Sequence, residues 1–266
     1  MTEPHTAGNP RVLVIRNVAG SGPGRLVEWL TGAGIEVTVM DGEQLLDQQN
    51  ADDLLAGLAG LVLLGGNFMP DADERAPWLP VERRMTKKAV ALRVPVLGIC
   101  LGGQLLALCA GGGVTANSGA IERGCCPVEL LPTAVDDPLF GPLAPHGTLR
   151  MIQNHRDSIT ALPPGATLLA TSESCPVQAF RVGECAWGLQ FHPEADVARI
   201  ASWNNESLTA DGYDPAALIA AGQADSVVNE AQARTLIASF AAVVRGAVVS
   251  DSVVSDSVVR SAGKVR

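Results

Sequence analysis

Cys100 stands in the string VPVLGICLGGQLLALCAGGG, residues 94–113, where an apolar run ends at Ile99 and a helix starts a residue or two after the cysteine. Gly98 and Gly102 lie two positions before it and two after. This is the thiol counterpart of the nucleophile elbow, glycine-x-nucleophile-x-glycine. The turn is so tight that side chains at the flanking positions would collide with neighbouring backbone. It exposes the sulfur at the carboxyl end of a sheet, where open α/β sheets hold their sites. The partial positive charge of the helix N-terminus favours thiolate. The free amide of Leu101 points toward the same space and can hold a developing oxyanion. A merely buried cysteine is the bland alternative, since free thiols are often core residues; it does not account for strand, glycines and helix together. Cys109, Cys125, Cys126, Cys175 and Cys185 lack this setting and read as packing or surface thiols.

A nucleophilic cysteine needs a base, and the candidates are His5, His146, His155 and His192. His5 lies in the polar N-terminus and His146 in an Ala-Pro-His-Gly turn. His192 follows a strand-like run at 186–191, with Glu194 two residues on. In extended backbone, positions i and i+2 share a side, and Pro193 restricts its own φ and the conformation of His192. The carboxylate is therefore expected to orient the imidazole and stabilise its protonated form. A surface histidine in a turn is the alternative, and the elbow weighs against it.

These groups need a scaffold. Residues 11–16, 36–40, 61–64 and 94–99 are short apolar runs separated by helical patterns at 25–31, 44–58 and 81–92, with a further helix beginning at Gln104. Strand–helix alternation with apolar strands predicts an α/β fold: a mostly parallel central sheet with helices on both faces. Beyond Val114 the β-like runs are short, at 127–131, 148–152, 167–171, 177–181 and 186–191, and are expected to extend the sheet with antiparallel strands. Residues 229–246 read as a terminal helix. The Ser-Asp-Ser-Val-Val repeat that follows reads as a flexible tail over 247–266, with strand pairing between chains as the alternative. The polar segment 1–10 is expected to be disordered.

Composition narrows the function. The chain has 266 residues, 47% of them hydrophobic, enough for one sizeable α/β domain. With 28 acids against 19 bases and a formal charge of −9, it is not expected to bind nucleic acid. The basic cluster Arg83, Arg84, Lys87 and Lys88 reads as a solvated helix face. No apolar run approaches a membrane span and no signal peptide is visible, so no membrane association is expected. The six cysteines and four histidines show no metal-site spacing and no secreted disulfide framework, so a reduced, cytoplasmic protein without a metal is expected.

The strings GICLGGQLLA around Cys100 and GLQFHPE around His192, about ninety positions apart, resemble the class I (triad) glutamine amidotransferases. The likeness is greatest to stand-alone proteins similar to the glutaminase domain of GMP synthase. It runs from about residue 11 to about residue 240, and includes LVLLGG at 61–66, Glu122-Arg123-Gly124, Asp137-Pro138-Leu139-Phe140 and Gln178-Ala179-Phe180-Arg181. The resemblance implies a flavodoxin-like class I glutamine amidotransferase fold over 11–246. It implies that Cys100 attacks the glutamine side-chain amide, that His192 takes the thiol proton and delivers one to the leaving ammonia, and that Glu194 orients His192. It assigns the amides of Gly66 and Leu101 to an oxyanion hole and Gln104 to the substrate. Gln153-Asn154-His155 resembles the loop that grips the substrate's α-amino and α-carboxylate groups. His155 and Asp157 resemble the H-x-D element of the GMP-synthase-like branch, against the reading of a turn histidine and a capping aspartate.

Two positions depart from the pattern. Asn67 stands where many relatives have proline, and Arg156 after the Asn-His pair is placed to narrow or charge the pocket. The implied activity is hydrolysis of glutamine to glutamate and ammonia through a Cys100 thioester, with no cofactor. Ammonia would pass to a separate synthetase subunit or other acceptor, because the sequence shows neither a P-loop nor a Ser-Gly-Gly-x-Asp-Ser pyrophosphatase motif. A γ-glutamyl peptide or amide hydrolase on the same scaffold is the alternative. A non-catalytic binding module ranks last, since all three triad residue types are present.

Overall fold

The computed structural model describes residues 9–48 and 50–262, with the side chains of the last helix as far as Ala247. Strand β1 (Arg11–Arg16) buries its four central residues. Val12 and Val14 join one apolar cluster, and Leu13 and Ile15 join another on the opposite side. The same division separates Val62 from Leu61 and Leu63, and Leu97 and Ile99 from Val96. Side chains alternate across a strand, so runs that are apolar at every position belong where both faces are covered.

The covering helices follow. Helix α1 (Leu26–Gly32) contributes Leu26 and Leu30 to the first cluster, and α6 (Ser226–Ala262) contributes Leu236, Ile237, Phe240 and Val244. On the other face α2 (Leu79–Ala91) supplies Leu79, Met85 and Ala89, and α3 (Leu101–Cys109) supplies Leu105 and Leu106. Each fully buried large side chain contributes about 1.5–3 kcal/mol through removal of apolar surface from water.

Among the described residues the main sheet has nine strands. Its parallel half runs β2 (Glu36–Asp41), β1, β3 (Gly60–Leu63), β4 (Val96–Ile99) and β11 (Ala186–Leu189). The antiparallel extension continues through β10 (Ala179–Val182), β9 (Thr167–Thr171), β6 (Glu122–Leu130) and β7 (Thr148–His155). The expected α/β fold, with a parallel core, helices on both faces and antiparallel strands added, is the fold observed. A two-stranded sheet pairs β5 (Gly113–Thr115) with β8 (Ser158–Ala161).

Several elements differ from expectation. The helix expected at 44–58 is two short 3₁₀ turns, Gly42–Leu45 and Ala51–Leu55. Asn50 lies between them, accepting from the Asp52 amide and donating to the Asp53 carboxylate, and such local bonds compete with a continuous helix. Strand β7 runs three residues past the expected 148–152, which places Asn154 and His155 on a strand, opposite Arg123 and Glu122, rather than on a loop. Helices α4 (Asn205–Ala210) and α5 (Pro215–Ala224) were not expected. Helix α6 continues past residue 246 through the repeat, which contains neither glycine nor proline. The expected disordered residues 1–8, and 263–266 of the expected tail, lie outside the described residues.

The Asp137 carboxylate ties the two halves of the sheet together. It accepts from the backbone amides of Leu139 and Phe140 at 2.9 and 3.1 Å, from Trp187 Nε1 at 3.1 Å on β11 and from Arg181 Nε at 2.8 Å on β10. Its side chain has no solvent exposure. Asp137→Ala would leave those donors unpaired, and a loss of about 3–5 kcal/mol is expected in urea denaturation. An unchanged midpoint would contradict the role given to this carboxylate.

Candidate active site

The chain turns from β4 into α3 at Cys100, whose φ of +53° and ψ of −106° lie outside the regions open to most side-chain-bearing residues. Strain of this kind persists only where the surroundings enforce it. A Cβ at Gly98 would sit 2.4 Å from the Gly102 carbonyl oxygen, and one at Gly102 would sit 2.1 Å from that of Leu63. The sequence expectation for an elbow is met in backbone geometry. The Cys100 amide donates to the Leu189 carbonyl at 2.8 Å, tying the elbow to the end of β11.

Three residues after that strand, the His192 amide donates to the Ile152 carbonyl of β7 at 2.8 Å. His192 Nδ1 lies 2.7 Å from Glu194 Oε1. The Glu194 side chain is 3% exposed and that of His192 is 13% exposed. Gly65 shows how closely the groups gather: a Cβ there would lie 3.0 Å from His192 Cε1 and 3.6 Å from Cys100 Cβ. Burial alone would lower the imidazole pKa. The charge of Glu194, with the charge and hydrogen bonding of Cys100, outweighs burial and pushes it up to about 10. Burial instead drives the other thiols away from ionisation: Cys109 to about 11, and Cys125, Cys126 and Cys175 to about 12.

A cavity of about 500 Å³ opens over these groups, and its walls include Gly66, Cys100, Gln104, Asn154, His155 and His192. Leu101 is the first residue of α3, where a backbone N–H has no acceptor within the helix. Gly66 is next to it, since a Cβ there would lie 2.5 Å from Leu101 Cδ2. Gln104 reaches the cavity, but its Nε2 already donates to the Asp157 carbonyl at 3.0 Å and to Gln190 Oε1 at 3.3 Å. Asn154 accepts from Arg123 Nη1. Asp157 Oδ1 accepts from the Asn117 amide in the turn after β5 at 2.8 Å.

His155 is held from behind. Its Nε2 lies 3.0 Å from Glu122 Oε2, which also accepts from Gln178 Nε2, while Glu122 Oε1 accepts from Ser172 at 2.7 Å. With Cys175, Glu122 and His155 form the one group of described residues whose ligand-capable atoms could converge on an ion, all within 4.8 Å. Both carboxylate oxygens are already engaged by protein donors.

Three residues of the site were not singled out in the sequence as site residues. Gln190 is fully buried, with Nε2 3.8 Å from Cys100 Sγ. Its place two before His192 on an extended run was a usable signal. Arg123 carried no role of its own within Glu122-Arg123-Gly124. Asp211, which both Arg123 and Arg156 contact, gave no signal because the helix that ends beside it was not foreseen.

Residues 21–201 match the family described as glutamine amidotransferase class-I. The chain is 34% identical over 166 residues to a glutamine-hydrolysing GMP synthase subunit of Haloarcula marismortui, covering 62% of this chain and 76% of that one. It is 41% identical over 102 residues to the same-named protein of Pyrococcus abyssi, covering 38% of this chain and 51% of that one. A solved glutamine amidotransferase of Thermotoga maritima superposes with a TM-score of 0.75 at 28% identity, covering 88% of this chain and 99% of that one.

The raised His192 pKa has a defined consequence. The folded state binds this proton more tightly than the unfolded chain. The resulting stabilisation is complete below about pH 6.5 and is lost as the pH rises through about 10. Glu194→Gln removes the neighbouring negative charge, and NMR titration should show the His192 pKa falling by at least about one unit. An unchanged value would rule out Glu194 as a source of the shift.

Proposed function

The chain belongs to the class-I glutamine amidotransferase family, and from that premise we propose that Cys100, His192 and Glu194 are its catalytic triad and that a separate synthetase receives the ammonia. The activity of the chain is hydrolysis of the glutamine side-chain amide to glutamate and ammonia. The observation that carries the triad assignment is the meeting of the strained Cys100 turn with the His192–Glu194 pair at one cavity.

In the proposed reaction, His192 already holds the proton taken from the Cys100 thiol, as its raised pKa favours, and Cys100 Sγ attacks the side-chain amide carbon. The carbonyl oxygen becomes an oxyanion held by the amides of Gly66 and Leu101. The tetrahedral species collapses, the C–N bond breaks, and His192 gives its proton to the departing nitrogen, which leaves as ammonia. A γ-glutamyl thioester remains on Cys100. Water, deprotonated by His192, attacks it and releases glutamate, which leaves His192 holding a proton again. Glu194 keeps Nδ1 protonated and holds Nε2 toward the sulfur and the substrate. Acyl transfer of this kind balances without a metal or organic cofactor. Gln104, Asn154 and His155 line the glutamine pocket, and Gln190 supports Gln104 from behind through its Oε1.

The relatives are glutamine-hydrolysing subunits of GMP synthase, which supports a separate synthetase as the ammonia acceptor for this chain. Such a reaction fits a cytoplasmic setting, and no described helix is long and apolar enough to cross a membrane. The volume of the cavity keeps a second substrate in view, a γ-glutamyl amide larger than glutamine.

Ammonia release from L-glutamine, measured with the chain alone and with an added synthetase, tests the assignment. Cys100→Ala is expected to fall at least about 10⁴-fold, to background. A variant that retains the wild-type rate would remove Cys100 from the mechanism. Faster turnover of γ-glutamyl peptides than of glutamine would shift the assignment to the larger substrate.

A further inference from the structure

One corner of the cavity concentrates positive charge in a chain whose formal charge is −9. Arg123 and Arg156 converge there on the single carboxylate of Asp211, just beyond the end of α4. Arg123 donates to Asp211 Oδ2 through Nε at 3.1 Å and Nη2 at 2.6 Å. Arg156 Nε lies 3.1 Å from the same oxygen, and its Nη2 lies 2.6 Å from Oδ1 and 3.1 Å from Ser207 Oγ. Burial would raise the Asp211 carboxyl pKa, but the hydrogen bonds and charges of the two guanidinium groups hold it below the usual range. One anion between two cations leaves a net positive charge facing the cavity.

The two arginines are not equivalent. Arg123 has a side chain 9% exposed, with Nε and Nη2 on Asp211 and Nη1 on Asn154. Arg156 is 40% exposed, and its Nη1 makes no hydrogen bond to a described residue. Among the described residues a third guanidinium, Arg75, has the Asn67 carbonyl as its one hydrogen-bond partner, at 3.5 Å and one residue on from Gly66. The proposed oxyanion hole at Gly66 and Leu101 assigns that side of the cavity to the scissile amide. The end bounded by Arg156 and Ser207 is left for the opposite end of the substrate.

We propose that Arg156, braced by Asp211, is the subsite for the α-carboxylate of the γ-glutamyl substrate. The proposal rests on the glutaminase reading for the identity of the ligand. Guanidinium and carboxylate match as charge-assisted partners. Asp211 is a positioning residue: it neutralises the repulsion between Arg123 and Arg156 and leaves a free N–H of Arg156 toward the cavity. Ser207 and Asp211 both lie beyond residues 21–201 that the family matches, so this brace comes from the chain's own later segment.

The test is calorimetric binding of L-glutamine and of L-glutamine α-amide, in which the α-carboxylate is a neutral carboxamide, to Cys100→Ala protein. L-glutamine should bind about 10- to 100-fold more tightly than the α-amide. Adding Arg156→Gln should remove that preference by weakening L-glutamine alone. Asp211→Asn should act in the same direction, and Asp211→Glu should restore part of the preference, which a purely structural role would not do. In the enzyme with Cys100 intact, Arg156→Gln should raise KM for L-glutamine with kcat little changed. Equal loss of both ligands, or a preference untouched by Arg156→Gln, would overturn the subsite. A preference for L-glutamine in a protein that releases no ammonia would support the subsite while defeating the reaction proposed above.

Discussion

The parallel pairing of β4 with β11 is the constraint on which the site depends. The register sets Ile99 beside Leu189, and the Cys100 amide continues it by donating to the Leu189 carbonyl. Two segments far apart in sequence therefore leave the sheet at the same end, one as a sharp turn into a helix and the other as an extended run. Cys100 and the His192 imidazole are brought together by backbone ladder bonds rather than by flexible side chains. The antiparallel extension adds a second hold, because β7 accepts the His192 amide at Ile152 and carries Asn154 and His155 onward.

Electrostatics then sets the protonation of the pair. Glu194 is almost fully buried, and its Oε2 has no hydrogen-bond partner among the described residues. A buried carboxylate with one free oxygen is costly unless a cation sits nearby, and the imidazolium of His192 is that cation. Burial lowers the His192 pKa, but the charges of Glu194 and Cys100 and the hydrogen bonds to both raise it well above its ordinary value.

The elbow was legible because its constraints are local. Gly98 and Gly102 are required by contacts within a few residues or with the adjacent strand, and such requirements leave a spacing that can be read. His192 and Glu194 were legible for a similar reason, the shared side of positions two apart. The four parallel strands of the first half announced themselves through continuous apolar runs. Other features depend on partners distant in the chain. The 44–58 region carries apolar residues at helical spacing, yet local Asn and Asp bonding divides it into two turns. Helices α4 and α5 carry few buried residues, Leu208 and Gly222 among them, so they left no periodic apolar signature. Asp211, Arg123 and Arg156 come from three separate segments, and only the fold shows that one carboxylate serves both guanidinium groups.

The central claim is that Cys100, set beside the His192 imidazole at the cavity, is the one of the six cysteines that reacts with the substrate. Labelling with a chloromethyl ketone analogue of glutamine, followed by peptide mass spectrometry, measures this directly. The account predicts modification of Cys100 and not of the other five thiols, with slower labelling in His192→Gln. Label spread across the other cysteines, or labelling of Cys100 at the same rate without His192, would contradict it.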